Sequence, residues 1–169
     1  MENEMVILVN EHDEAIGLME KMEAHQKGLL HRAFSVLIFN SKGELLLQQR
    51  ALSKYHSPGL WTNACCSHPR YGETVLQAAN RRLSEEMGMA ATLSVNTHFI
   101  YRAEFDNGLT EHELDYVLIG SSDNDPIINP QEVHSYRWVN LEELKGWMER
   151  EPSTFTVWFK ELFIRGIIA

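Results

Sequence analysis

The residues able to do chemistry in this 169-residue chain gather in two short stretches. The first, Trp61-Thr62-Asn63-Ala64-Cys65-Cys66-Ser67-His68-Pro69, sets two thiols and an imidazole close together. If this loop is extended, Cys66 and His68 share a side and Cys65 faces away, because side chains alternate along extended backbone. Cys66 is then the thiol offered to a pocket. The second stretch, Glu111-His112-Glu113, lies in a strand pattern, so its two carboxylates point to one face and His112 to the other. Thiols, imidazoles and carboxylates are the groups that move protons near neutral pH and hold divalent ions.

Cys66 carries three readings. A free cysteine is usually a small buried hydrophobe. A thiolate metal ligand wants a second thiolate two to four residues away, which this chain lacks. An acid/base thiol needs a polar, partly charged setting that moves its pKa. For a metal, the donors are His25, His31, His68, Glu111 and Glu113. Three imidazoles and two carboxylates leave one octahedral position open and suit borderline ions such as Zn²⁺ or Mn²⁺. Spacing alone does not select these five among eight histidines. His12, His56, His98, His112 and His134 read as scattered surface residues.

The elements that must position these groups follow from pattern. Val6 to Asn10 is a short strand, Glu11 to Ala15 a turn, and Met19 to Gly28 a helix. His31 to Asn40 and Glu44 to Arg50, joined by Ser41-Lys42-Gly43, read as a hairpin. Ala51 to Leu60 is a loop into the cysteine stretch. Gly72 supplies a turn, Glu73 and Thr74 open a helix, and Gly88 closes it. Arg81 with Glu85 and Arg82 with Glu86, four apart, are neighbours on that helix. Thr92 to Phe105 and Glu111 to Gly120 form a hairpin through Asp106-Asn107-Gly108. Ser121 to Pro130 is a polar loop and His134 to Val139 a last strand. Asn140 caps a helix over Leu141 to Arg150, and Ser153 or Thr154 caps another over Phe155 to Ile164. Strands interleaved with a few helices imply an α+β or mixed α/β sandwich, a sheet between helical layers.

Length and 44% apolar content fit one globular domain spanning residues 1–169. No apolar run approaches the roughly 20 residues of a membrane span. The acidic start Met1-Glu2-Asn3-Glu4 is unlike a signal peptide, and two adjacent cysteines are no disulfide framework, so a reducing cytoplasmic setting is expected. A net charge of −9 argues against a nucleic-acid partner. An anionic substrate would require locally gathered basic residues and metal ions.

Aligned on Gly88, the residues Glu73, Arg81, Leu83, Glu85, Glu86, Gly88 and Met89 match the Nudix box, G-x5-E-x7-R-E-U-x-E-E-x-G-U, where U is aliphatic. Ser67 stands in place of the first glycine and Arg82 in place of the glutamate after the arginine. With the preceding cysteine stretch, the chain resembles the type I isopentenyl-diphosphate Δ-isomerases of the Nudix-fold superfamily, with matches from Lys21 to Trp158. The resemblance implies a Nudix-type sandwich and exchange between isopentenyl and dimethylallyl diphosphate through protonation and deprotonation of the alkene. It implies catalytic roles for Cys66, Glu113, Tyr101 and Trp158. It makes His25, His31, His68, Glu111 and Glu113 the metal set, with five residues between His25 and His31 where other members have one more. The ion there would be Mn²⁺, Zn²⁺ or Mg²⁺.

The resemblance also assigns Lys21, Arg50, Lys54 and Arg82 to the diphosphate and Glu86 to a Mg²⁺ that arrives with it. In the forward direction Glu113 with Tyr101 is expected to donate the proton and Cys66 to accept it. Trp158 would offer the cationic intermediate an aromatic face, although a tryptophan beside Phe155, Phe159 and Leu162 is equally at home in a core. The protein would then be a monomer or weak homodimer acting on a small prenyl diphosphate. Two other classes remain. A Nudix pyrophosphohydrolase uses its box carboxylates to hold metals that activate water, and Arg82 removes one of them. A non-catalytic Nudix-fold binding module would be expected to have lost Cys66, Glu113 or Glu86, and all three are present.

Overall fold

The computed structural model describes residues 4–168. Its strands are β1 (Met5–Val9), β2 (Ala15–Glu20), β3 (His31–Phe39), β4 (Leu45–Arg50), β5 (Trp61–Asn63), β6 (Cys65–Ser67), β7 (Ser94–Glu104), β8 (Thr110–Ser121) and β9 (Val133–Val139). Its helices are α1 (Lys21–Lys27), α2 (Val75–Met87), α3 (Leu141–Arg150) and α4 (Val157–Ile164), with a 3₁₀ turn at Pro152–Thr154.

The sheet is built around β3, whose run His31-Arg32-Ala33-Phe34-Ser35-Val36-Leu37-Ile38-Phe39 is apolar on both faces and needs a cover on each. Along one edge β3 lies parallel to β8, from His31 opposite Glu113 to Phe39 opposite Ser121. Along the other it meets β1 at Leu8 and β6 from Phe34 to Val36. Antiparallel β7 extends the sheet beyond β8. Alternation divides the interior in two. Phe34, Val36 and Ile38 pack with Cys65 against Ala78, Ala79, Leu83 and Met87 of α2. Leu37, Phe99 and Tyr101 face the other way, against Leu144 of α3 and Trp158, Phe159 and Leu162 of α4. The α+β sandwich expected from the pattern is the observed one.

Helix α2 begins and ends where the sequence marks it. Thr74 accepts from the Gln77 amide while the Gln77 side chain accepts from the Thr74 amide, a reciprocal cap, and Gly88 adopts φ +58° to close it. Three expectations are corrected. The turn after β3 forms, but β3 and β4 pair only at Phe39 and Leu45 before diverging. β4 instead pairs with β5 and with β9, which takes up its edge. Ala15, expected in a turn, and Met19 and Glu20, expected in a helix, belong to β2, a strand paired with β1, and the helix starts only at Lys21 behind the Glu20 cap. The cap of α4 is Thr156; Ser153 and Thr154 belong to the preceding 3₁₀ turn.

The end of α2 is tied to the polar loop by Ile127 N–H donating to the Met87 carbonyl at 2.8 Å and Asn129 N–H to that of Glu86 at 2.9 Å. A Cβ on Gly88 would lie 2.6 Å from the Ile127 carbonyl oxygen. Gly88→Ala is therefore expected to cost more than the ~1–2 kcal/mol of left-handed strain alone, measured by urea unfolding. A loss below about 0.5 kcal/mol would contradict the tight approach.

Candidate metal centre and catalytic cleft

One face of β8 carries Glu111, Glu113 and Asp115 in sequence, all buried. Around the first two stand imidazoles from three different elements: His25 from α1, His31 from the start of β3, and His68 just after β6. Each of the five residues offers a donor atom, and these atoms lie within 4.8 Å of one another. His25 Nε2 is 3.2 Å from Glu111 Oε2. His31 Nε2 and His68 Nε2 are 3.2 and 2.8 Å from the same oxygen, Glu113 Oε2.

The tautomers test whether an ion fits. His25 Nδ1 is 2.6 Å from the Lys21 carbonyl and His31 Nδ1 is 2.9 Å from that of Leu29. A neutral ring that donates Nδ1–H to a carbonyl has only a lone pair at Nε2. Both rings thus aim lone pairs at carboxylate oxygens. Although His25 Nε2 and Glu111 Oε2 are close, neither has a hydrogen-bond partner among the described residues. Either a proton or a cation must occupy such a gap. Backbone carbonyls that orient ligand imidazoles are the usual outer support of a metal site, so the residues present fit a divalent ion.

Charge balance decides the protonation states around that gap. Burial opposes a charge on His25, but Glu111 outweighs it and pushes the imidazole up to about 9. Burial holds His68 below its ordinary value. Burial would raise Glu113, yet the His31 and His68 rings beside it outweigh burial and hold the carboxyl well below the usual range. Asp115 goes the other way: burial, and then the Glu113 charge, push it well up, and Ser35 Oγ lies 2.9 Å away.

Tyr101 sits directly opposite Glu113 across the β7–β8 pair, and its hydroxyl donates to Glu113 Oε1 at 2.5 Å. The neighbouring cleft encloses a cavity of about 110 Å³ that opens to solvent. Cys66, His68, Glu111 and Glu113 line it on one side and Trp158 on another. Cys65 points the opposite way, into the α2 core, where its thiol donates to Glu86 at 3.2 Å. Burial pushes the Cys66 thiol up to about 12.

Lys21, Arg50, Lys54 and Arg82 all line the same cleft. Three already have carboxylate partners: Lys21 with Glu4 at 3.0 Å, Lys54 with Glu132, and Arg82 with Glu86 at 3.1 Å. Arg50 differs. Its guanidinium lies 5.1 Å from the Trp158 ring, and its buried Nε has no partner among the described residues. Glu86 is not brought to the cleft wall. Its oxygens are taken by Gln48, Cys65 and Arg82, so a Mg²⁺ there would have to displace Arg82.

One residue was misjudged from sequence. His56, read as a surface histidine, is 5% exposed, and its Nε2 is 2.9 Å from Glu111 Oε1. No pattern marks it, since it lies in the Ser57-Pro58-Gly59 loop with no strand or helix to fix its direction.

A NUDIX domain model matches residues 29–159 of the chain. Isopentenyl-diphosphate Delta-isomerase 2 of Photorhabdus laumondii is 52% identical over 98% of this chain and 93% of its own length. The isopentenyl-diphosphate Delta-isomerase of Serratia proteamaculans is 54% identical over 93% of this chain and 88% of its own. Among solved structures, a Deinococcus radiodurans protein superposes with a TM-score of 0.72 at 24% identity, covering 87% of this chain and 90% of that one. A MutT protein from Methanosarcina mazei gives 0.65 at 22%, covering 80% and 91%. The solved structures speak for the fold alone.

Protonation and ion uptake compete for His25. Its pKa is raised above that of a free histidine, so pairing with Glu111 stabilises the ion-free fold at low pH and is lost as pH rises through about 9. An ion needs the neutral ring. Binding of Zn²⁺ or Mn²⁺ at neutral pH should therefore release protons, seen as buffer-dependent heats in calorimetry, and affinity should fall as pH is lowered. Heats independent of buffer, with flat affinity, would count against this site.

Proposed function

The chain belongs to the NUDIX family and, within it, to the isopentenyl-diphosphate Delta-isomerases, and on that premise we propose that it interconverts isopentenyl and dimethylallyl diphosphate. Moving the double bond requires a proton added at one carbon and another removed nearby. The observation that carries the reading is a thiol, Cys66, and a carboxylate, Glu113, lining one cleft with four basic residues. A thiol and a carboxylate facing one cleft suit reversible transfer: each donates in one direction and accepts in the other. Tyr101 steadies Glu113 through their hydrogen bond and supplies a proton reserve on that side.

Protonating an unactivated alkene places positive charge on a tertiary carbon, which water would capture. The Trp158 face stabilises such a charge without forming a bond to it, and Trp158 is itself 4% exposed. A divalent ion held by His25, His31, His68, Glu111 and Glu113 would neutralise the paired carboxylates and withdraw charge from Glu113. Zn²⁺, Mn²⁺ and Mg²⁺ are the candidates. The diphosphate end belongs to Arg50, whose buried Nε has no partner among the described residues, and to Lys21, Lys54 and Arg82, which exchange Glu4, Glu132 and Glu86 for phosphate oxygens. Mg²⁺ accompanying the diphosphate would take Glu86 as Arg82 turns to the phosphates. All these roles fall within one domain formed by the whole chain.

The competing hydrolase reading is opposed by Arg82, which occupies a box carboxylate position and covers Glu86 with a cation. Incubation with isopentenyl diphosphate and Mg²⁺ should give dimethylallyl diphosphate with its diphosphate intact. Stoichiometric phosphate or pyrophosphate without isomer would replace the isomerase by the hydrolase.

The two thiols separate the roles further. Cys66→Ala should lower kcat by ~10²–10⁴-fold, the loss typical of a proton-transfer group. Cys66→Ser should be nearly as poor, and KM should hold in both. Cys65→Ala should keep most activity and lose some stability, as its thiol is fully buried. A raised KM at unchanged kcat would make Cys66 a binding residue.

A further inference from the structure

Four imidazoles, not three, surround the paired carboxylates, and the fourth is wired differently. The ligand candidates His25 and His31 spend Nδ1 on backbone carbonyls and keep Nε2 bare. His56 directs Nε2 to Glu111 Oε1 at 2.9 Å, while its Nδ1 lies 3.3 Å from Ser57 Oγ. The one tautomer satisfying both contacts accepts from the Ser57 hydroxyl and donates Nε2–H to Glu111. That leaves Glu111 with one oxygen occupied and Oε2, the atom facing His25, without a hydrogen-bond partner among the described residues.

The loop is shaped to bring this ring inward. Ser57 adopts φ +51°, a left-handed conformation that a non-glycine residue adopts at a cost, followed by Gly59 at φ +72°. The ring then stacks on Phe105 at 5.1 Å, nearly parallel, and sets its edge to Trp158 at 5.7 Å. The backbone carbonyl of the same residue accepts from Arg50 Nη2 at 3.3 Å. A single residue thus touches a candidate ion ligand, the aromatic wall and Arg50.

The geometry points to His56 as a positioning residue that locks Glu111 into one-oxygen presentation to a divalent ion and so sets the affinity of the His/Glu site. It rests on the reading of that site as a metal centre. His56 itself is outside the ligand set, since its Nε2 hydrogen faces Glu111 Oε1, away from the gap shared by His25 and Glu111 Oε2. An outer partner of this kind typically contributes about 10–100-fold to metal affinity.

The test is a titration of apoprotein with Zn²⁺ or Mn²⁺ in competition with a chromophoric chelator, which needs no turnover. His56→Phe keeps a stacking ring but removes the donor, and should weaken binding about 10–100-fold at unchanged stoichiometry. His56→Gln, whose amide can reach the same oxygen, should recover much of that loss. Co²⁺ substitution should give the same ligand-field spectrum in wild type and His56→Phe, because no ligand has been lost. If His56→Phe only lowers the melting temperature and leaves the dissociation constant in place, His56 is structural and the inference fails. A changed Co²⁺ spectrum overturns it too, making His56 a ligand. Wild-type protein that binds no ion removes the metal-centre reading, a failure distinct from the other two.

Discussion

Two like charges buried two residues apart on one face of β8 are the constraint to which the rest of this structure answers. Glu111 and Glu113 are 2% and 7% exposed, and a buried carboxylate without compensation costs several kcal/mol. The fold meets this with four imidazoles, a tyrosine hydroxyl and a gap suited to a cation. Burial and the Glu113 charge push the third carboxyl, Asp115, well above its ordinary range. The demand fixes where α1 must end, where β3 must begin and which way β6 must run. Local preference alone would ask for none of this, and a plain core would do without it.

The sheet turns this constraint into a cleft through alternation. Cys65 and Cys66 are chemically identical neighbours, yet the period of two sends one under α2 and the other to the pocket. Parallel pairing of β3 with β8 puts His31 level with Glu113, and antiparallel pairing of β7 with β8 puts Tyr101 level with it from the other side. The contacts to Glu113 are thus read directly from strand register, and a slip of one residue would turn them away from one another.

What was legible in the sequence were features that act over short range. The capping of α2 by Thr74 and Gly88, the Asn107-Gly108 turn and the shared face of Glu111 and Glu113 each follow from a few adjacent residues. The splay of β3 from β4 did not, because it is set by β9, more than 80 residues later, which claims the edge of β4. β2 was hidden because Ala15 to Glu20 shows no alternation: it is an edge strand largely exposed on both faces. The metal set was identified through family likeness, since nothing local separates His25 from His98. His56 shows the limit most sharply. Its direction is decided by a left-handed serine in a loop and by a partner 55 positions away.

The candidate ligand atoms come from positions 25, 31, 68, 111 and 113, and this separation bears on how the protein reaches its folded state. Closing such long loops is entropically costly, and folds dominated by non-local strand pairing form slowly. The β3–β8 ladder that brings His31 to Glu113 joins residues some 80 apart, so the ion-binding constellation does not exist until that ladder has closed. An ion consequently has nothing preformed to bind in the early chain. It acts on the finished molecule by mass action, slowing its escape from the folded basin while leaving the rate of arrival largely unchanged.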